Sequence, residues 1–548
     1  MKLFKQNKLV AAMAAGLAIA SGNVGAVALN ADGTGEALVY PYYTARGDQT
    51  TLLTVVNTTN NAKAVKVRFR EARNSNDVLD FNLYLSPFDV WTGGVTAKNG
   101  GAYLTTSDTS CTNPVKSGWD AIDATNRVYG KGFFPYDYDS VDGTTASSQG
   151  LGRTLEGYVE IIEMATIPSG NAFFTAIKHV NGVPPCDSVA GAAALFGTGT
   201  VNDANLRAPS GGLFGAVTQL NTAGGANGGV STSEAAVAYT GFARQGQVQD
   251  PSSANPNFAD HNSCRALVSD GATAALMNTE SPVGNCDANA KARAFAAVNM
   301  ASAVQGEFSF FATGTANGTG THGTDWIITM PGKHYFTNLN RFSTPAVMTS
   351  TGDDHGNVTG TSTSLALAPF LNPTTDGTAL WNRTDKVSCL TISSTTYSRE
   401  EDTAGSAGSG FSPRPPGTRP NSLCYEANII SFGAPATTGG PSAVHASPLA
   451  LWLNNSIARG TAGWMDLPLT VAGATRQIGG PVAFTAPNPP VAYDLTSGAA
   501  IAAANVTVSG LPVIGFRSTV SRFTTGSPQN NYNDSVPLTL RRTVTIAP

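Results

Sequence analysis

The feature that most constrains this chain is a two-residue alternation that recurs between Gly35 and Gly94. Val65, Val67 and Phe69 alternate with Lys66, Arg68 and Arg70, and after the turn Asn74–Asp77 the residues Leu79, Phe81, Leu83 and Leu85 alternate with Asp80, Asn82, Tyr84 and Ser86. Just upstream, Thr51–Thr59 is rich in β-branched residues and runs into a turn cluster, Asn57 to Asn61. Period two sends successive side chains to opposite faces of a strand. Successive segments of this kind, parted by short polar turns, predict antiparallel strands with one core face and one wet face, as in a sandwich sheet.

The rest of the chain follows the same style less regularly. Leu155–Met164 is expected to close the same sheet system, with Glu156, Glu160 and Glu163 opposite Lys66, Arg68 and Arg70. Exposed cross-strand ion pairs of that sort contribute roughly 0.2–1 kcal/mol each, enough to tune register and no more. GLFGAVTQLNT, FSFFATGT, DWIITM, KVSCLTISSTTYS, CYEANIISFG, ANVTVSGLPVIGF and PLTLRRTVTI also read as strands. Ala190–Ala194 and Ala288–Val304 are Ala-rich enough for helices, the second capped by Asp287. Gly224–Gly229, Thr349–Thr363 and the Pro-rich FSPRPPGTRP read as loops. The expected fold is therefore all-β, with Ig-like or related β-sandwich modules, long loop insertions and a few short helices. The expected division is a signal peptide over 1–28, an N-terminal sandwich over 29–189, and a larger β-rich region over 190–548 with an inner boundary near 345.

Export is read from the first 28 residues. Lys2, Lys5 and Lys8 precede an apolar stretch from Leu9 to Ala20, and Ala26-Val27-Ala28 offers a small-x-small cleavage pattern. The apolar run is too short to span a bilayer, no second span follows, and the uneven strand spacing does not match an outer-membrane barrel. The expected address is the cell surface or the extracellular space, with the periplasm as the other option. Cys111, Cys186, Cys264, Cys286, Cys389 and Cys424 form an even set, which in an oxidising compartment implies disulfides. Six cysteines allow fifteen pairings. The sequential one (111–186, 264–286, 389–424) is chosen because each bond then staples one local excursion. No CxxC spacing points to zinc or redox chemistry.

Composition narrows the partners. Only 13% of residues are charged and the net charge is -4, so the concentrated basic surface needed for nucleic acid is missing. A 41% hydrophobic fraction with 24 Phe and 15 Tyr is enough to build substantial cores. The six histidines are scattered, without HExxH spacing, and neither GxSxG nor a phosphate-cradling GxxxxGK[ST] occurs. No catalytic or cofactor-binding residues are assigned. Asp137, Asp139 and Asp142 in DYDSVDG loosely resemble an oxygen-ligand calcium loop, one residue out of register, and solvated turn residues are the plainer account. Tyr40, Tyr42, Tyr43, Trp91 and Trp119 are glycan candidates, because a flat apolar face with a polar edge stacks on sugar; core packing is their plainer account.

Several phrases together, YPYYTARGDQTTLLTVVNTT, KAVKVRFREARNSNDVLDFNLYLSPFDVWTG, EGYVEIIEM, GTDWIITMP, SPRPPG with LCYEANIISF, and GLPVIGF, resemble an uncharacterised group of secreted, β-rich cell-surface proteins of Gram-negative bacteria. The resemblance runs in order over most of the mature chain. It implies an envelope location and a β-rich body, and it carries over no catalytic residues. The expected function is an exported envelope or extracellular surface protein with a structural role, assembling with itself or with other envelope components into a layer or filament. The alternatives are an adhesin or glycan-binding module and, third, a secreted hydrolase.

Overall fold

The computed structural model describes residues 26–73, 75–134, 150–187, 206–221, 231–242, 248, 256–280, 286–310, 320–337, 369–370, 380–382, 387–399, 403–406, 422–433, 441–453, 461–470, 477–481, 492–494, 497, 499–501, 505–523 and 532–547. The first sandwich is built from β1 (Ala28–Leu29), β2 (Ala37–Thr44), β3 (Gln49–Asn57), β4 (Ala62–Glu71), β5 (Asp77–Leu85), β6 (Val90–Lys98), β7 (Gly101–Thr106), β8 (Cys111–Asn113), β9 (Asp120–Asp123), β10 (Val128–Gly132), β11 (Glu156–Ile167), β12 (Leu213–Asn221), β13 (Ser231–Ala235) and β14 (Val237–Thr240). One seven-stranded sheet runs β1-β14-β2-β11-β4-β5-β8, the other β13-β12-β3-β6-β7-β10-β9, and every ladder within each is antiparallel. The alternating apolar residues point inward as their spacing dictates. Val65, Val67, Phe69, Leu53, Val55 and Trp91 meet in one core.

Two expectations change here. The sandwich does not end at residue 189, because β12, β13 and β14 are threaded into its sheets from beyond that point. Nor is the charged face of β4 wet: all ten of its residues are buried, Lys66, Arg68 and Arg70 included. The reason is tertiary cover that no local pattern announces. Arg68 Nη1 donates to Pro256 O at 3.5 Å and Asn82 Nδ2 to Val248 O at 3.1 Å. Just past the end of β4, Ala427 N–H donates to Ala72 O at 2.9 Å.

The covering region holds a second pair of sheets. One orders Thr403–Ser406, Ser394–Ser398, Ala462–Pro468, Ala303–Ser309 and Thr539–Arg541; the other orders Ala450–Leu453, Ala427–Phe432, Gly320–Thr329, Ile514–Phe523 and Tyr532–Pro537. Trp326, Ile328, Phe308, Phe432, Met465 and Leu467 fill the space between them. The protein is thus an all-β sandwich structure, and its helices are short. The helix α1 (Ala172–Ile177) is capped by Asn171, whose side chain accepts from Phe174 N–H. The helix α2 (Ala288–Asn299) is capped by Asp287 as expected, accepting from Ala290 N–H at 2.8 Å. α2 joins the two parts: Phe295 stacks on Phe258 with centroids 4.4 Å apart, and Asn299 Oδ1 accepts from the Tyr239 hydroxyl of β14 at 2.8 Å.

Cys111–Cys186 and Cys264–Cys286 are disulfides, with Cα atoms 5.9 and 5.5 Å apart. Cys424 is also disulfide-bonded, while the Cys389 side chain lies outside the described residues. Most of the expected signal peptide lies outside them too. Its last residues do not: Val27 is fully buried and bridges to Ala266, and Ala28 pairs with Thr240. The ordered ladder therefore begins inside the segment expected to be cleaved. Among the described residues no helix is long and apolar enough to cross a membrane.

Candidate interaction face

The two sheets of the first sandwich present unlike outer faces, and the contrast locates the candidate site. On β4 and β11 the outward residues form a buried ionic layer. Arg70 Nε lies 2.9 Å from Glu160 Oε1 and its Nη1 lies 3.2 Å from Asp77. Arg68 reaches Asp77 at 3.4 Å and Glu160 at 3.9 Å. Arg153 meets Glu71 at 3.0 Å and Arg46 meets Glu156 at 2.6 Å. Burial pulls the Lys66 ammonium down to about 8 against the opposing field of Asp80. Of the expected partners only Glu160 meets Arg68 and Arg70, lying directly across from Arg68 in register; Glu156 pairs with Arg46, Glu163 with Lys63 and Lys66 with Asp80, and these pairs work in a largely dry interior rather than in water. This layer mates the first sandwich to the rest of its own chain.

The other sheet has exposed side chains on its outer face, and among the described residues that face carries no charge across its centre. Its residues follow from register. Val56 lies between Phe214 and Val90, Thr54 between Ala216 and Thr92, and Leu52 between Thr218 and Gly94, beside Thr105. Their strand neighbours Leu53, Val55, Val95 and Val217 point into the core, so this set must point out. Leu52, Val90 and Phe214 are 40%, 47% and 42% exposed. At the rim the side chains lie close to the sheet. Tyr103 lies down over Gly130, where a Cβ would stand 2.3 Å from the ring, and its hydroxyl donates to Asp120 at 2.9 Å. Lys98 Nζ, 3.8 Å above the same ring, marks the charged rim. A surface of threonine hydroxyls and methyls, leucine, valine and one phenylalanine is suited to docking against another surface.

The residues singled out from sequence fall elsewhere. Tyr40, Tyr42 and Tyr43 are fully buried and Trp91 and Trp119 nearly so, which corrects the glycan assignment: their rings are occupied by the core. Phe81, for example, packs against both tryptophans, with centroids 6.0 and 5.3 Å apart. Asp137, Asp139 and Asp142 lie outside the described residues. Among the described residues no group of three or more His, Cys, Asp or Glu is arranged to hold a metal ion.

Two histidines are brought to hydroxyls from distant segments, which scattered sequence positions gave no means of foreseeing. His322 lies 2.5 Å from Ser521 Oγ and 2.8 Å from Ser309 Oγ. His179 lies 2.7 Å from Ser86 Oγ and 3.1 Å from Thr109 Oγ1, with Asp89 3.6 Å away. Acyl transfer at such a hydroxyl needs backbone donors aimed at the developing oxyanion. The N–H of Ser309 is already given to Thr324 Oγ1, and that of Ser110 to Asp108. These clusters fasten loops and strand ends. Comparison with known proteins adds no relative, since no protein family, curated protein or solved structure matches the chain.

Proposed function

We propose that this chain is an exported envelope or extracellular structural protein that associates with further copies of itself through the uncharged face of β12, β3, β6 and β7. The observation that carries this reading is the asymmetry between the two outer faces. One is densely charged and covered by the chain itself; the other, among the described residues, is uncharged at its centre and carries exposed Leu52, Val90 and Phe214. A face without charge is where two copies of a net-negative chain approach with least repulsion, and a β-face can serve both sides of a twofold contact. With strands about 4.8 Å apart and four residue rows, the face measures on the order of 500 Å². Two copies face to face would then bury on the order of 1,000 Å², the lower limit for a specific interface. Contacts of that size are individually weak and suit a lattice, where many act together.

Sedimentation of the purified mature protein over a concentration series tests this. Reversible dimers or larger particles are expected, reduced to monomer by Thr54→Arg at unchanged melting temperature. A wild-type chain that stays monomeric throughout overturns the reading. A second reading, a binding module working through one end of the sandwich, is favoured by Phe88 and Val180. They are 67% and 58% exposed beside the His179 cluster, and Phe88 is held at φ 57°. Glycan-array binding by a monomeric wild type, lost in Phe88→Ser, would put that reading first.

A further inference from the structure

One buried cluster in the first sandwich holds a set of groups that strand pairing alone does not call for. Where β11 shifts register against β4, between Glu163 and Ala165, the side chains of Lys63 and Glu163 come together with no solvent exposure at either. Lys63 Nζ is 2.7 Å from Glu163 Oε1, 2.7 Å from Ser210 Oγ and 3.1 Å from Thr166 Oγ1. The other carboxylate oxygen is held by backbone. Gly211 N–H donates to Oε2 at 2.8 Å, and Ser210 N–H points at both oxygens from 3.2 Å. A third ionisable group lies beside the cluster, its backbone carbonyl accepting from Glu163 N–H at 2.8 Å. Glu36 accepts from Phe242 N–H, and its Cγ lies within 3.7 Å of the position a Cβ on Gly211 would take. Burial, then repulsion from Glu163, raises the Glu36 carboxyl to about 7, so it carries a proton for much of the time near neutrality.

We propose that Lys63 and Glu163 are joined by an intramolecular amide bond, formed after folding, with Glu36 moving the second proton and the Ser210–Gly211 N–H pair receiving the oxyanion. In this step Nζ passes one proton to Oε1 across their 2.7 Å contact and then attacks Cδ of Glu163. The C–N bond forms while negative charge gathers on Oε2, facing the two backbone donors. Oε1 then leaves as water, and the C–O bond breaks. Overall an ammonium and a carboxylate become one amide and one water, with both displaced ammonium protons leaving in that water and no oxidant or reductant involved. Glu36 gives the second proton to Oε1 and recovers one from the nitrogen. Three features favour the reaction over a persistent ion pair. The reactants are pre-positioned, which is worth orders of magnitude in rate. An amide removes two charges from a site where their desolvation is costly. A site sealed from solvent also disfavours the returning hydrolysis. The bond would clamp β4 to β11 at the centre of the sheet, and the inference does not depend on the assembly reading.

The test is the mass of the reduced, denatured, purified chain, with a tryptic map. The wild type is expected about 18 Da light, one water, against its own sequence. The map should show no cleavage after Lys63 and a branched peptide joining Lys63 to Glu163. Lys63→Arg, which keeps the charge but cannot form this amide, should regain full mass, and Glu36→Gln should stay folded and uncrosslinked. A wild type of full mass that is cut at Lys63 overturns the proposal, whether or not the variants fold. A fully crosslinked Glu36→Gln overturns the role of Glu36.

Discussion

His261 shows how a single side chain sets a condition on the whole fold. Its ring is buried against Phe242, with Nε2 3.0 Å from Lys291 O and Nδ1 3.3 Å from Ser263 N. That arrangement satisfies a neutral imidazole, with Nε2–H donating to the carbonyl and Nδ1 accepting from the amide. A second proton would set Nδ1–H against the Ser263 N–H, and burial already holds the group down at about 3. The folded value lies below the unfolded one of 6.5, so this contribution is present above pH 6.5 and is lost as pH falls toward 3. The slope is at most about 1.4 kcal/mol per pH unit. Glu36 and Glu234, both raised to about 7 chiefly by burial, act in the opposite sense, their contribution fading as pH rises through that value. Melting temperatures between pH 7 and 4.5 should therefore fall less steeply for His261→Gln, which can still donate and accept, than for the wild type. Equal slopes would show that His261 is not the acid-sensitive group.

At the scale of elements, β4 marks how far local pattern could carry the reading. Its alternation made it a strand, and the register put Glu160 across from Arg68 as expected. What the pattern could not disclose was that both faces are dry, because the cover comes from Val248, Pro256, Glu426 and Ala427, far along the chain. A charged face and a wet face look the same in one sequence. The uncharged face was legible in part, since TTLLTVVN reads as a strand rich in β-branched residues and free of charge. Its partners Phe214, Ala216 and Thr218 come from a strand 160 residues on, and only the register assembles them. The difference between a wet and a dry ionic face is measurable. On an exposed strand Glu160→Gln would cost under about 1 kcal/mol. In the buried layer it leaves Arg70 and Arg68 without their shared carboxylate, and about 3–5 kcal/mol is expected in urea unfolding. A cost below 1 kcal/mol would mean that water reaches this layer.

For the whole molecule, these arrangements make the two sandwiches interdependent rather than beads on a string. The first takes β12, β13 and β14 from beyond residue 189, and its ionic layer stays dry only while the second region covers it. α2 then locks the two together through the Phe258–Phe295 stack and the Tyr239–Asn299 hydrogen bond. The two disulfides whose partners are described do not bridge the halves: Cys111–Cys186 closes a loop within the first, and Cys264–Cys286 a short one beside α2. On the chain-entropy estimate these loops are worth about 4.5 and 3.4 kcal/mol, so each steadies its own neighbourhood. A fragment cut at the boundary expected from the sequence, residues 29–189, keeps its disulfide. It loses two strands from one sheet, one from the other and the cover over Arg68, Arg70 and Glu160. It is expected to show no cooperative thermal transition by circular dichroism and no dispersed amide spectrum, while the mature chain shows both. Cooperative unfolding of that fragment would mean that the ionic layer tolerates water and that the covering region is an attachment rather than a part of the core.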